Sequence, residues 1–246
     1  HTALRRQRQM CIRDRFYRAS DFTNEFLNEP FDGGFNIDYV RDLNGKSLSH
    51  IVNQTMMRID LPEPLKTGEN YSFSIKWWYN IQDHVNQDGR SGYETFPSDG
   101  NRSYIIAQFF PRMAVYNEVE GWQNYQFWGD GEFALPFGDY EVKITVPADH
   151  ILDATGVLQN RKEVFSKEML KRYNKAKKSY EKPVMIVTQS EAEEAEKGFS
   201  NNKKTWHFKA QNVRDFAFAT SRKFIWDMMA VKIGKRDVMA VSMYPR

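Results

Sequence analysis

Cysteine is nearly missing from this 246-residue chain: Cys11 stands alone. A single thiol closes no internal disulfide and makes no paired-cysteine zinc motif, so stability has to come from packing. Long apolar runs are absent too, and no stretch approaches the roughly 20 apolar residues that a membrane-spanning helix needs. Charge of one sign is not in excess, with 35 Lys and Arg against 32 Asp and Glu, a net of +3. That balance, with 15% aromatic and 41% hydrophobic residues, excludes disordered and collagen-like classes. What remains is a globular chain, long enough for one large all-β domain or two ordinary ones.

The short catalytic signatures are also missing. None of the five histidines (His1, His50, His84, His150 and His207) stands four residues from another across a glutamate, so there is no His-Glu-x-x-His helix and no visible metal site. There is no Gly-x-Ser-x-Gly elbow and no phosphate-binding Gly-x-x-x-x-Gly-Lys loop; the GRSG run, Gly89 to Gly92, is too short to cradle phosphates. Glu118, Glu120, Asp130, Glu132 and Asp139 supply acids. Their spacing alone pairs no two of them across a sugar, so it assigns no glycosidase. Asn53-Gln-Thr and Asn101-Arg-Ser match glycosylation acceptors, which matter only in a eukaryotic secretory route.

The small positive charge is local. His1 to Arg15 holds five arginines and one acid, and the other 231 residues carry 30 bases and 31 acids. No apolar run follows these arginines, so they do not begin a secretory signal. The run RQRQMCIRDR, Arg6 to Arg15, resembles a translated sequencing adapter. That resemblance implies that residues 1–15 are a non-native, disordered segment and that the true N-terminus and any signal peptide were lost. It also removes the case for a nucleic-acid-binding arm.

From Phe16 onward the dominant period is two, the mark of strands with one face in a core. It runs through Tyr71, Phe73, Ile75, Trp77, Tyr79 and Ile81, with Trp78 an exception on the polar face. It recurs at Met57, Ile59 and Leu61, at Tyr140 to Val146, and at Trp206, Phe208 and Ala210. Turns are expected at Asn44-Gly45, Thr67-Gly68, Ser98 to Asn101, Asp130-Gly131 and Gly138-Asp139. The result is a mainly β, antiparallel, sandwich-like fold. One helical insertion interrupts it at about 161–198. Phe165, Met169, Tyr173, Ala176 and Tyr180 form the apolar stripe of a helix that ends before Pro183. Residues 161–182 carry nine bases and three acids, read as a solvated face rather than a membrane or nucleic-acid surface. Ser190 and Glu193 are expected to form a capping box ahead of the acidic run Glu191 to Glu196, with Gly198 at the exit. Near the C-terminus, Val238 to Met243 (VMAVSM) is apolar on both faces, as for a strand buried on both sides or awaiting a neighbour.

The densest aromatic region is Tyr104 to Asn124, YIIAQFFPRMAVYNEVEGWQN, followed by QFWGDGEFALPFGDYEVKITVPADH. A strand ending at Gln108 runs into a Pro-broken loop carrying Arg112, Tyr116, Trp122 and Trp128. Flat rings with a few polar groups suit ligand contact or a packing seam. This region, with NQTMMRIDLPEPL (Asn53 to Leu65), GRSGYE (Gly89 to Glu94), VPADHILDATGVLQN (Val146 to Asn160) and NVRDFAFATSRKFIWD (Asn212 to Asp227), resembles the N-terminal domain of bacterial zinc aminopeptidases. The family is that of aminopeptidase N and leukotriene hydrolase, and the likeness is to its Bacteroidetes-type branch, over about Phe16 to Arg246. The resemblance implies a large saddle-shaped β domain over 16–246 that lies against a thermolysin-like catalytic domain of the same chain. That second domain carries the zinc, the His-Glu-x-x-His motif and the Gly-x-Met-Glu-Asn motif, none of which occurs here.

The implied function is therefore a periplasmic or secreted zinc aminopeptidase acting on peptide substrates. The present residues would form only its first domain, with no zinc of their own and no activity alone. One residue carries over. In the family a Gln at the end of a β-domain strand contacts the substrate near its free amino end, and Gln108 in AQFFP matches it. Two residues on, many members have Glu or Gln where this chain has Phe110. A different reading makes the chain a stand-alone binding module, for carbohydrate as an example, that stacks sugars on Trp77, Trp78, Trp122 and Trp128.

Overall fold

A computed structural model describes residues 31–86, 91–126 and 134–246. Residues 1–15, the GR half of GRSG, the Asp130-Gly131 turn, Glu132 and Trp128 lie outside the described residues. The described residues divide into two compact units, one formed by 31–82 with 113–126 and 134–135 and the other by 83–86 and 91–112 with 136–246. Among the described residues 44% lie in strands and 11% in helices, with no closed barrel, which agrees with the mainly β expectation. Among the described residues every pairing of one strand with another is antiparallel, beside an isolated parallel bridge of Asp83 with Tyr93.

The first unit is built from β1 (Asn36–Asp42), the hairpin of β2 (His50–Asn53) and β3 (Met56–Ile59), and β4 (Phe73–Trp78). β1 pairs with β4, and Phe73, Ile75 and Trp77 turn inward while Ser74, Lys76 and Trp78 are exposed. The predicted alternation is real, but the strand stops at Trp78 instead of running on to Ile81. Beyond it Tyr79 packs its ring edge-on to Phe35, 5.6 Å between centroids. Likewise Leu61 falls after the end of β3. The β2–β3 turn is fastened by Gln126. Its Oε1 accepts from the Thr55 N–H (2.9 Å) and hydroxyl (2.7 Å), and its Nε2 donates to the Asn53 carbonyl (3.0 Å).

In the second unit, β5 (Gly92–Thr95), β6 (Arg102–Ile106), β10 (Ile151–Ala154) and β14 (Phe218–Ser221) form a four-stranded sheet in the order β10-β14-β6-β5. A second sheet joins β11 (Val157–Leu158), β13 (Lys203–Val213) and β9 (Gly138–Pro147), and a third joins β12 (Val184–Val187), β15 (Phe224–Ile233) and β16 (Arg236–Pro245). Trp206, Phe208 and Phe216 are essentially fully buried and meet Leu152, Ile186, Phe165 and Trp226 in one apolar core. Trp206, Phe208 and Ala210 are the inward positions of β13, as their period of two requires.

Three expectations are corrected here. Gly138-Asp139 is no turn: it opens β9, and the Asp139 carboxylate accepts the Asn212 N–H at 2.8 Å. The single long helix is two, α1 (Arg161–Val164) and α2 (Lys167–Ala176), with Tyr180 outside both and 48% exposed. Phe165 takes an extended backbone at the break, and the Ser166 hydroxyl caps α2 by accepting the Met169 N–H at 3.1 Å. The break lets the Phe165 ring lie edge-on to Trp226 at 5.4 Å. Finally, α3 (Gln189–Glu196) is capped by Thr188 and Glu191, not by Ser190 and Glu193. An N-cap needs extended backbone. Thr188, just after β12, has it (φ −81°, ψ 162°), whereas Ser190 already lies within the helix.

Candidate functional site

β6 ends at Ile106, two residues before the predicted end, and is held there by Ser91, whose hydroxyl accepts the Ala107 N–H at 3.1 Å. Gln108 then takes a left-handed backbone conformation, φ +54°. For a residue with a Cβ that conformation costs about 1–2 kcal/mol. Such a cost points to a constraint set by the surroundings. Its cause is visible on either side.

Phe109 packs edge-on against Phe218 (5.4 Å) and Phe216 (6.5 Å), and Phe110 against Tyr140 (5.7 Å), so consecutive rings are both drawn into the core. In an ordinary strand they would point to opposite faces. The left-handed residue before them re-aims the chain. Arg112 follows, its guanidinium 5.2 Å from the Phe110 ring centre and 2.5 Å from the Asp215 carboxylate, which also accepts the Phe216 N–H at 2.7 Å.

Gln108 itself is left on the surface. Its side chain is exposed and hydrogen-bonds to none of the described residues. It therefore does not serve to satisfy backbone groups at the strand end, and its amide keeps one acceptor oxygen and one donor NH2 available. Phe110, where a second polar contact would stand, is committed to the aromatic cluster.

A second constellation was not found by sequence reasoning. Arg222 and Lys223, in the connection from β14 to β15, are 7% and 2% exposed. Lys223 reaches the carboxylates of Asp99 and, at 3.1 Å, of Glu196. Arg222 donates to Asp149 (3.2 Å) and to the side-chain oxygen of the fully buried Asn101 (3.2 Å). Arg246 adds a 3.0 Å contact to Glu196. The Lys223 ammonium holds the Asp99 carboxyl below its usual range. Beside them His150 is buried, with Nδ1 3.2 Å from the Thr220 hydroxyl. Burial, and then the Arg222 charge, push its pKa down to about 4. Each cation here has its carboxylate, and the arrangement ties the 99–101 turn, α3, the β9–β10 turn and the C-terminal residue to one strand connection. It is a structural clamp. The only signal in the sequence was a Ser-Arg-Lys run between two apolar strands.

Among the described residues no group of three or more His, Cys, Asp or Glu is placed to hold a metal ion. His207 pairs instead with Glu141, 2.8 Å away, across the β9–β13 ladder. The tryptophans do not combine into one described platform, because Trp77 and Trp78 are successive strand residues on opposite faces. Trp122 stacks edge-on with Tyr116, at 5.3 Å, in the small hairpin of β7 (Tyr116–Asn117) and β8 (Gly121–Trp122). Of the two glycosylation-like acceptors, Asn101 is inaccessible, while Asn53 is exposed at the β2–β3 turn.

No protein-family profile matches the chain, and no curated protein does. Solved structures do. A mutant of the M1 zinc metallopeptidase from Deinococcus radiodurans, bound to a Tyr-Ser-Ala substrate, is similar over 89% of this chain and 41% of its own, with 13% identity and a TM-score of 0.45. The M1 zinc metallopeptidase from the same organism, determined without that mutation, is similar over 87% of this chain and 38% of its own, with 14% identity and a TM-score of 0.44. The chain thus spans about two fifths of the length of the solved structures it matches.

Proposed function

We propose that this chain is the N-terminal β domain of a bacterial, periplasmic or secreted zinc aminopeptidase, that it forms one wall of the peptide cleft, and that it packs on a catalytic domain of the same protein. The sequence blocks from Asn53 to Asp227 support this reading. The observation that carries it to a site is Gln108: an exposed amide in a left-handed conformation, without a hydrogen bond to any described residue, at the end of β6. The packing of Phe109 and Phe110 accounts for the strained backbone, and what it leaves on the surface is an unbonded amide, the group that a binding role would use.

In this role the Gln108 carbonyl oxygen accepts from the ammonium of a peptide's free amino end, and its NH2 donates to a peptide carbonyl. The aromatic cluster of Phe109, Phe110, Tyr140, Phe216 and Phe218 fixes the backbone from which the amide projects. Phe110 offers no second contact to the amine, so Gln108 is the one polar contribution of this strand end. The described residues do not fit a zinc site, and hydrolytic chemistry is assigned to none of them. In this proposal the metal, which activates water when bound, belongs to the catalytic domain.

The gene tests this directly. Reading on in frame past Arg246 should reveal a His-Glu-x-x-His motif with a glutamate further along, and the protein so encoded should release N-terminal residues from peptides in a zinc-dependent manner. A stop codon directly after Arg246, or zinc-dependent release by residues 16–246 alone, would overturn the assignment.

A further inference from the structure

β6 and β14, neighbours inside one sheet, pair as far as Ile106 with Phe218, and there their ladder stops. Successive residues of an inner antiparallel strand bond alternately to its two neighbours. Past the last pair, the Ala107 N–H goes to Ser91 on the β5 side, at 3.1 Å. Ala217 turns the other way, just beyond β10: its N–H donates to the Thr155 hydroxyl (3.1 Å) and its carbonyl accepts the Thr155 N–H (2.9 Å). With the register continued, the next residues whose bonding groups would face each other are Gln108 and Phe216. That pair is not made. The Phe216 N–H donates instead to Oδ1 of the adjacent Asp215, at 2.7 Å.

The same Oδ1 accepts from Arg112 Nη2 at 2.5 Å. The side chains of Arg112 and Asp215 are 17% and 35% exposed, so this ion pair is less open to screening by solvent than an ordinary surface pair. Arg112 also lies over the Phe110 ring. Phe216, whose N–H is held in this way, is fully buried and sets its ring against Phe109 (6.5 Å) and Tyr140 (6.1 Å). One carboxylate oxygen thus takes the N–H that an extended Gln108 would use and also holds the last residue of the 107–112 loop.

We infer that Asp215 is a positioning residue for Gln108: it keeps β14 from pairing with this part of the chain and, through Arg112, anchors the loop whose left-handed start projects the amide from the sheet. Without it, the fork between β6 and β14 can close, and Gln108 returns to an extended conformation as a further residue of the ladder. The inference rests on the reading of Gln108 as the contact for a peptide's amino end.

In the longer enzyme that the proposed function expects, Asp215→Ala should lower kcat/KM for an N-terminal aminoacyl substrate by about 10-fold, as displacement of a binding group does. It should change KM and kcat in the same proportions as Gln108→Ala. Asp215→Asn, which keeps an oxygen for both donors, should retain most of the activity. In a Gln108→Ala background, Asp215→Ala should cost nothing further, because residues that act through one group are not additive; a merely structural residue would add its full effect. In the 246-residue chain, the strong intraresidue N–H to Hα nuclear Overhauser cross-peak of the left-handed Gln108 should weaken in Asp215→Ala. If that variant does not fold, Arg112→Met added to it removes the stranded guanidinium, and the double variant takes its place in both measurements. Gln108→Ala without effect would overturn the reading of the site and this inference with it. A loss in Gln108→Ala with none in Asp215→Ala, full additivity of the two, or an unchanged Gln108 cross-peak would overturn the positioning role and leave the reading of the site standing.

Discussion

At the scale of single residues, Gln108 holds a left-handed backbone while its side chain bonds no described neighbour. Glycine adopts positive φ without a Cβ penalty, so Gln108→Gly removes the strain and, since the side chain bonds no described neighbour, should cost no hydrogen bond. We expect it to raise stability by about 0.5–1 kcal/mol in urea unfolding. A loss of stability would mean that the amide is tied down after all. His150 gives a second prediction, with its sign fixed by linkage. Its native pKa is about 4, below the ordinary 6.5, so between these values the unfolded chain binds a proton that the native chain does not. Stability should therefore fall as the pH drops from 6.5 to about 4, by on the order of 3 kcal/mol in total. Unfolding free energies of wild type and His150→Asn across that window check this: the variant should lose this part of the acid dependence, and parallel curves would contradict it.

At the scale of elements, the inward stripe of β13 and the alternation of β4 were legible because burial on one face of a strand imposes a period of two. What misled was chemistry that two residues share. Thr188 and Ser190 both carry a capping hydroxyl, and only the end of β12 decides which has the extended backbone. Phe165 lies on a regular helical stripe, yet its backbone is extended, its ring packs edge-on to Trp226 and Ser166 starts a new helix. Gly138 reads as a turn former but opens a strand, whereas Gly156 is a turn glycine of consequence. Gly156 has φ +96°, and a Cβ there would meet the Lys209 carbonyl oxygen at 2.4 Å, inside the β11–β13 pairing. Gly156→Ala should therefore destabilise by about 3 kcal/mol, read as a lower urea midpoint. A change below 1 kcal/mol, within ordinary surface variation, would show that the β10–β11 turn can move.

At the scale of the whole molecule, composition located the charge but not its partners. The Lys223 and Arg222 clamp joins positions up to 124 residues apart in sequence, and no local pattern reports such a meeting. The left-handed backbone of Gln108 was not legible in the sequence either, since it is set by rings that residues of β9 and β14 bring from far along the chain. Large apolar side chains remain exposed in both units, among them Ile51, Val52 and Val119 in the first and Val238, Val241 and Tyr244 in the second. The isolated chain should accordingly bind a hydrophobic dye while it retains its β circular dichroism; a dye-silent chain would count against a domain made to pack on another. The most direct test of the account is the kcat/KM for an N-terminal aminoacyl substrate, measured with and without Gln108→Ala on the longer enzyme that the proposed function expects. Loss of one hydrogen bond to a charged amine should lower kcat/KM by about 10- to 100-fold with no loss of thermal stability. An unchanged kcat/KM across several peptides would contradict it.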